Sequence, residues 1–272
     1  MPPRRQSWFQ GRPVVVKGAG DLGTGVAYRL HRAGMAVIMT ELAQPTAIRR
    51  AVAFAEAVYE REVTVEGLRA CLVDDIAAAR RALAQGVVPV LVDLQGDITR
   101  ALAPQGVVDA RMVKRNLDTR LDEAPVVVGL GPGFVAGLDV HAVIETARGH
   151  NLGRVIVAGQ AEPNTGVPGA VGGQSERRVV RAPAAGAFHS LKRIGDVVAE
   201  GEVVARVDGQ PVTARLVGML RGILRDGLPV HPGMKVGDVD PRGVRDYCFT
   251  ISDKALAIGG SVLEAILYLS RS

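Results

Sequence analysis

The run Pro13-Val-Val-Val-Lys-Gly-Ala-Gly-Asp-Leu-Gly23 constrains the fold more than any other segment. A short β-branched stretch leads into three glycines, and a helical stretch from Leu22 to Ala33 follows, closed by Gly34. That order of strand, tight turn and helix opens a parallel α/β sheet. Each glycine has a physical reason. Gly18 permits the turn, Gly20 lets a pyrophosphate approach the backbone, and Gly23 lets the helix pack on the sheet. The helix N-terminus adds free amides and a partial positive charge. A second strand, Ala36–Glu41, ends on Glu41, where an acidic side chain would bond a ribose hydroxyl. Asp21 sits within the phosphate turn, where it would repel a pyrophosphate unless it points away or holds a metal; the plainer role is a helix cap.

The same alternation predicts further elements as far as about residue 170. A helix is expected over Ala47–Tyr59, a hairpin or strand pair from Glu62–Val65 and Ala70–Val73, and a helix Ile76–Ala84 capped by Asp75 and ended by Gly86. Strands are expected at Val88–Val92, Val126–Leu130 and Arg154–Val157, with a helix at Val140–Ala147. The charges of Asp109–Asn116 fall at helical spacing, either as a solvated face or with Arg111 or Lys114 reaching an anion. Gly129-Leu-Gly-Pro-Gly-Phe-Val-Ala-Gly137 follows a strand, so Gly131 and Gly133 join the ligand-binding candidates at a strand's C-terminal end. The expected fold class is α/β, with a Rossmann-like nucleotide-binding domain over residues 1–173.

Past Gly159 the pattern changes. Asn164–Gly173 is rich in glycine and proline, a linker or a functional loop. Residues 180–207 then repeat 32 positions later without a gap: nine of the 28 aligned residues are identical, from Val180/Val212 to Val207/Val239. Two copies are too few for a solenoid, so a closed pseudo-two-fold β unit is expected over residues 174–243. This stretch resembles the biotinyl/lipoyl-type barrel-sandwich hybrid, in which a lysine on the hairpin between halves carries the cofactor. Here that hairpin, Val207-Asp-Gly-Gln-Pro-Val212, has no lysine, and Lys192 and Lys235 are out of register. A packing or docking element is the expectation. Residues 244–272 read as a C-terminal segment and helix lying on the first domain, with Gly259-Gly260 marking close packing.

Composition narrows the function classes. The net charge of +5 is spread over scattered basic residues, and aromatics make up only 4% of the 272 residues, which argues against a nucleic-acid partner and favours a small anionic ligand. No apolar run reaches the length of a membrane helix. Met1-Pro-Pro-Arg-Arg5 has charge without an apolar core and reads as a loose tail rather than a signal peptide. Cys71 and Cys248 form no motif, which fits a reducing, cytoplasmic setting. His141 and His150 match no metal spacing, Cys248 reads as a buried, inert thiol, and no catalytic constellation is visible. A homo-oligomer is compatible with all of this.

Longer segments carry a family likeness. Gly18–Gly34, Pro45–Arg50, Phe54–Glu60, Gly129–Gly137, Ile144–His150 and Ile251–Gly260 resemble the YqeB family, accessory proteins of the selenium-dependent molybdenum hydroxylase system. The resemblance implies a maturation factor with a client molybdenum hydroxylase, handling a nucleotide-bearing cofactor such as a molybdopterin dinucleotide. It supplies no catalytic residues. The candidate ligand-binding set is therefore Gly18, Gly20, Asp21, Gly23, Glu41, Gly131 and Gly133, and an NAD(P)-dependent oxidoreductase remains the alternative.

Overall fold

A computed structural model describes residues 11–93 and 95–271. The expected N-terminal tail lies outside the described residues. β1 (Val14–Lys17), α1 (Asp21–Arg32) and β2 (Val37–Glu41) come first, then 3-10 turns at Arg50–Val52 and Phe54–Glu56 and one turn of helix, α2 (Ala57–Glu60). β3 (Glu62–Val65) and β4 (Leu68–Leu72) form a hairpin, α3 (Ile76–Ala84) leads to β5 (Val88–Val92), and α4 (Asp97–Leu102) leads to β6 (Gly106–Asp109). β7 (Val126–Leu130), β8 (Val135–Ala136), β9 (Ala142–Ile144), β10 (Val155–Ile156) and β11 (Gly159–Gln160) complete the first part. β8 and β11 pair with each other.

The remaining nine strands form one sheet in the order β10-β9-β7-β6-β1-β2-β5-β4-β3. Its central six, β5-β2-β1-β6-β7-β9, are parallel and follow the doubly wound order 3-2-1-4-5-6, with the order reversing beside β1. β1 is central enough that Val14, Val15 and Val16 are all fully buried, each worth about 1.5–3 kcal/mol relative to exposure. Val14 and Val16 face one apolar cluster, and Val15 faces the other.

Three sequence expectations are corrected. Ala47–Tyr59 is not one helix: Ala53 is extended and the chain turns instead in short 3-10 steps. Its backbone bonds outward, with the Ile48 carbonyl accepting from Ile223 N, Ala55 N donating to the Ala19 carbonyl, and Phe54 N donating to Thr24 Oγ1. An i to i−4 ladder has nothing left to use. Val140–Ala147 contains the buried parallel strand β9, because an apolar run this short is compatible with either state. The stretch after Asp109 is a loop in which Met112 and Lys114 adopt positive φ, not a helix.

Among the described residues no α-helix links β6 to β7 or β7 to β9, and only a 3-10 turn at Leu121–Glu123 interrupts the first connection. Their face is covered instead by the C-terminal helix, whose Ile258, Val262 and Ile266 enter the same cluster as Val126, Val128 and Ile144. That helix spans Asp253–Leu269 and starts on Ser252, whose side chain accepts from Ala255 N. Gly259 lies inside it rather than before it. A Cβ there would stand 2.5 Å from the Gly25 carbonyl of α1, so the two helices touch through glycine backbone.

The strand repeat builds two four-stranded sheets around a second apolar core. β12 (Val179–Arg181), β13 (Gly186–Ser190), β14 (Val197–Val198) and β15 (Val203–Val207) form the first copy. β16 (Gln210–Thr213), β17 (Gly218–Ile223), β18 (Pro229–Val230) and β19 (Lys235–Asp240) form the second. The sheets run β12-β19-β17-β14 and β16-β15-β13-β18. A shift of 32 residues maps one order onto the other, so each sheet takes two strands from each copy. The repeated valines, such as Val204 and Val236, are buried in the shared core. The repeated glycines Gly195/Gly227 and Gly201/Gly233 turn the chain at positive φ. The helix from Asp253 to Leu269 is α5 below.

Candidate functional site

Two cavities meet at the first turn of α1. The first, about 600 Å³, opens at the C-terminal ends of β1, β2, β5 and β6, where a doubly wound sheet receives ligands. Gly18, Gly20, Asp21 and Glu41 line it. Gly20 is the N-cap of α1, and a Cβ on it would meet nothing within 4 Å. Protein packing does not require glycine there, so its absent side chain serves the open space. Gly18 has φ +93°, and a Cβ on Gly23 would stand 2.1 Å from the Gly18 carbonyl. These two glycines shape the turn from within. The amides of Asp21, Leu22 and Gly23 open α1 with no backbone acceptor behind them.

Glu41 reaches back to the turn. Its carboxylate accepts from Ala19 N and Leu42 N, both at 2.8 Å. Burial pushes its carboxyl up, against the lowering effect of those two amides. Asp21 does not cap the helix: Oδ2 faces Arg49 Nη1 at 3.4 Å, and no side-chain capping bond forms. The charge that would repel a phosphate is met by that guanidinium.

Sequence reading missed the rest of this wall. Lys17 ends β1 and lies 2.7 Å from Glu123, donating also to Thr119 Oγ1. Asp109 ends β6 and is 2% exposed. It accepts from Nε, Nη2 and the backbone amide of Arg111 and from Thr119 Oγ1, while Arg111 also reaches Asp118 at 2.6 Å. Burial alone would lower the Arg111 guanidinium, but its bonds to Asp109 and Asp118 hold it above its ordinary value. Asp93 accepts from Asp97 N and Thr99 N at the start of α4. Neither alternative open for Arg111 is the one observed: its guanidinium pairs with Asp109 and Asp118 within the wall. The available signal was positional: Lys17 and Asp109 each end a strand flanking the switch point.

Both cations lining this cavity, Lys17 and Arg111, are thus spent on carboxylates, while Asp21, Glu41, Asp93 and Asp118 also line it. The wall is acidic, and it suits hydroxyl donors. Attraction for an anion comes from the amides of α1.

Gly131 and Gly133 do not reach this cavity. A Cβ on Gly131 would stand 2.5 Å from Thr146 Oγ1, and one on Gly133 would stand 2.6 Å from the Arg115 backbone. Both are packing glycines, although Pro132 between them borders the second cavity.

The second cavity, about 580 Å³, lies between the large sheet, the glycine- and proline-rich loop, the strand repeat and the start of α5. Seven cationic side chains line it against four carboxylates. Arg148 holds Asp253 through two bonds, of 2.9 and 3.0 Å, and keeps that carboxyl well below the usual range. Lys254 also faces this cavity. Burial, with Lys114 nearby, pushes its ammonium down to about 8.

Elsewhere, Cys248 is fully buried and burial pushes its thiol up. His141 Nδ1 accepts from Val127 N. No helix among the described residues is long and apolar enough to cross a membrane.

A doubly wound sheet with a glycine turn at its switch point defines a mixed α/β protein with a large, predominantly parallel sheet. No family model matches the chain. It is 53% identical over 256 residues to the uncharacterized protein YqeB of Escherichia coli K12. That match covers 94% of this chain and 47% of the relative, so the chain spans about half the length of the curated relative it matches. Among solved structures, an aspartoacylase family protein from Mesorhizobium loti is 12% identical, covering 84% of this chain and 85% of that chain, with a TM-score of 0.26. The ectoine utilization protein EutE (DoeB) from Ruegeria pomeroyi, in a product-bound structure, is 14% identical with the same coverage and score. At such scores neither likeness carries an argument.

Proposed function

We propose that this chain binds a nucleotide-bearing ligand in the first cavity and acts as a cytoplasmic maturation factor for a selenium-dependent molybdenum hydroxylase. The observation that carries the binding reading is Gly20, an unobstructed N-cap facing a cavity of about 600 Å³ that also holds Glu41. In this reading a phosphate meets the amides of Asp21, Leu22 and Gly23, and ribose hydroxyls donate to Glu41. The client and its selenium and molybdenum chemistry come from the YqeB-family resemblance. The strand repeat, read as a biotinyl/lipoyl-type barrel-sandwich module without a carrier lysine, serves as the docking element. Its β15–β16 hairpin turns at Asp208-Gly209, and Lys192 is committed to Glu202.

Native mass spectrometry of gently purified protein tests the ligand. A co-purifying molybdopterin dinucleotide or other nucleotide supports the reading, and its loss in Gly20→Val places it at the turn. Protein that carries no nucleotide, and takes up none on incubation, overturns it. A second reading, an NAD(P)-dependent oxidoreductase, rests on Glu41 at the end of β2. NAD(P) as the co-purifying mass, with hydride transfer to a substrate, would favour it over the first.

A further inference from the structure

The second cavity contains charge that nothing in the chain uses. Its four carboxylates are committed. Asp21 faces Arg49, Asp238 pairs with Arg178, Glu145 accepts from Ala147 N and Glu162 N, and Glu162 accepts from Asn151. The cations are in excess, and three positions among them lack a partner. The Lys114 and Lys254 ammonium groups make no hydrogen bond or ion pair with any described residue, though each is a triple donor. Arg49 donates from its terminal nitrogens to Asp21 and to the Tyr247 and Thr250 carbonyls, yet Nε is buried with no acceptor. Its side chain is only 10% exposed. A buried donor left unsatisfied costs about 1–3 kcal/mol.

Unpaired like charges held together in a cleft repel one another unless an anion enters. Lys254 feels Lys114, Arg148 and Arg178 with only Asp21 opposing them. Lys254 stands in the first turn of α5, a helix of 17 residues, where the helix dipole disfavours a cation. The backbone brings these groups together at some cost. Lys114 has φ +68°, a left-handed conformation in the loop after β6. Arg49 is fixed by the junction segment, where Ile223 N donates to the Ile48 carbonyl.

We infer that the second cavity is a binding site for a multiply charged phosphate group, with Lys114 and Lys254 as its ligands. The site goes beyond the nucleotide reading of the first cavity and does not rest on it. Oxygens of the anion would accept from the two ammonium groups. Inorganic pyrophosphate and the phosphate end of a larger metabolite present the same chemistry. The wet, open cleft admits either.

Isothermal titration calorimetry with inorganic pyrophosphate on the full chain tests this. Three proteins are compared: the unaltered chain, Lys114→Met/Lys254→Met, and Gly20→Val. The double variant should bind at least about tenfold more weakly, since two charge-assisted contacts are lost. Gly20→Val, which fills only the first cavity, should bind within about twofold of the unaltered chain. Removing two unpaired ammonium groups strands no partner, so the double variant should keep or raise its thermal midpoint. Should it fail to fold, Lys114→Met alone on its exposed loop should still show a several-fold loss. The proposal is overturned if the unaltered chain gives no binding or if the lysine variants bind as tightly as it does. Loss in Gly20→Val with retention in the lysine variants would likewise overturn it and put the phosphate in the first cavity.

Discussion

The two cavities share Asp21 and Leu22 and have nearly equal volumes, yet they use charge in opposite ways. In the first, every lining cation is matched to a carboxylate by a short bond, and the amides of α1 are the remaining donors to an anion. In the second, the carboxylates are matched and two lysine ammonium groups, Lys114 and Lys254, are left over. A wall with paired charges is rigid and specific for shape and hydroxyl pattern. A wall with unpaired charges attracts a class of ligand and is destabilised while empty. Arg49 stands between them, lining the second and neutralising Asp21, which lines both.

The first prediction would break both cavities at once. Gly23→Ala places a methyl within 2.1 Å of the Gly18 carbonyl, so the turn or helix must move. A loss of about 3 kcal/mol or more in denaturant unfolding is expected. Normal stability would show that the turn can relax. Next, Arg111→Met leaves Asp109 buried with only Thr119 and a backbone amide as donors. About 2–4 kcal/mol should be lost at neutral pH. If the cost reflects the stranded carboxylate, Asp109→Asn in the same background should recover part of it.

Gly20→Val separates the cavities. Unfolding free energy should change by less than about 0.5 kcal/mol, because its Cβ meets open space, while nucleotide affinity falls at least about tenfold. Retained nucleotide affinity would remove the turn from the site.

The smallest effect is a pH dependence confined to the second cavity. Lys254, down to about 8 from an ordinary 10.5, is charged below that value and loses its charge as pH rises through it. Lys114, also lowered by burial with the Glu145 carboxylate opposing, acts in the same direction. Pyrophosphate affinity should therefore weaken from about pH 7 to about pH 9 by a few fold, and Lys254→Arg should flatten that slope. Pyrophosphate itself gains charge over the range, so an affinity that strengthens equally in both proteins would contradict the assignment. For stability the sign is reversed. The depressed ammonium costs the empty fold stability below about pH 8, and the cost fades as pH rises toward the unfolded value.

Local grammar made the first half of the large sheet legible. β1, α1 and β2 announce themselves through valines, glycines and Gly34, and Asp75 caps α3 as its sequence implies, accepting from Ala78 N at 2.6 Å. Residues 47–59 were misread because their helical spacing of apolar residues serves a junction whose hydrogen bonds go to α1 and β17. β9 was misread because a strand buried on both sides loses its alternation, and the helix covering it comes from the far end of the chain. Of the candidate site, the turn and Glu41 were readable as a motif. The bonds of Lys17 to Thr119 and Glu123, and the meeting of Lys114 with Lys254, were not, since each joins segments more than 100 residues apart. Gly131 and Gly133 show the converse: a glycine-rich loop after a strand can be close packing alone.

The two copies in the strand repeat have a consequence for ancestry and engineering. One 32-residue copy supplies two strands to each layer and can complete neither. A free-standing copy could bury its valines only by swapping strands with a twin, so the tandem arrangement amounts to a symmetric dimer fused into one polypeptide. Cleaving the chain at Asp208-Gly209 should therefore yield two fragments that remain clasped, and separating them should cost the whole module.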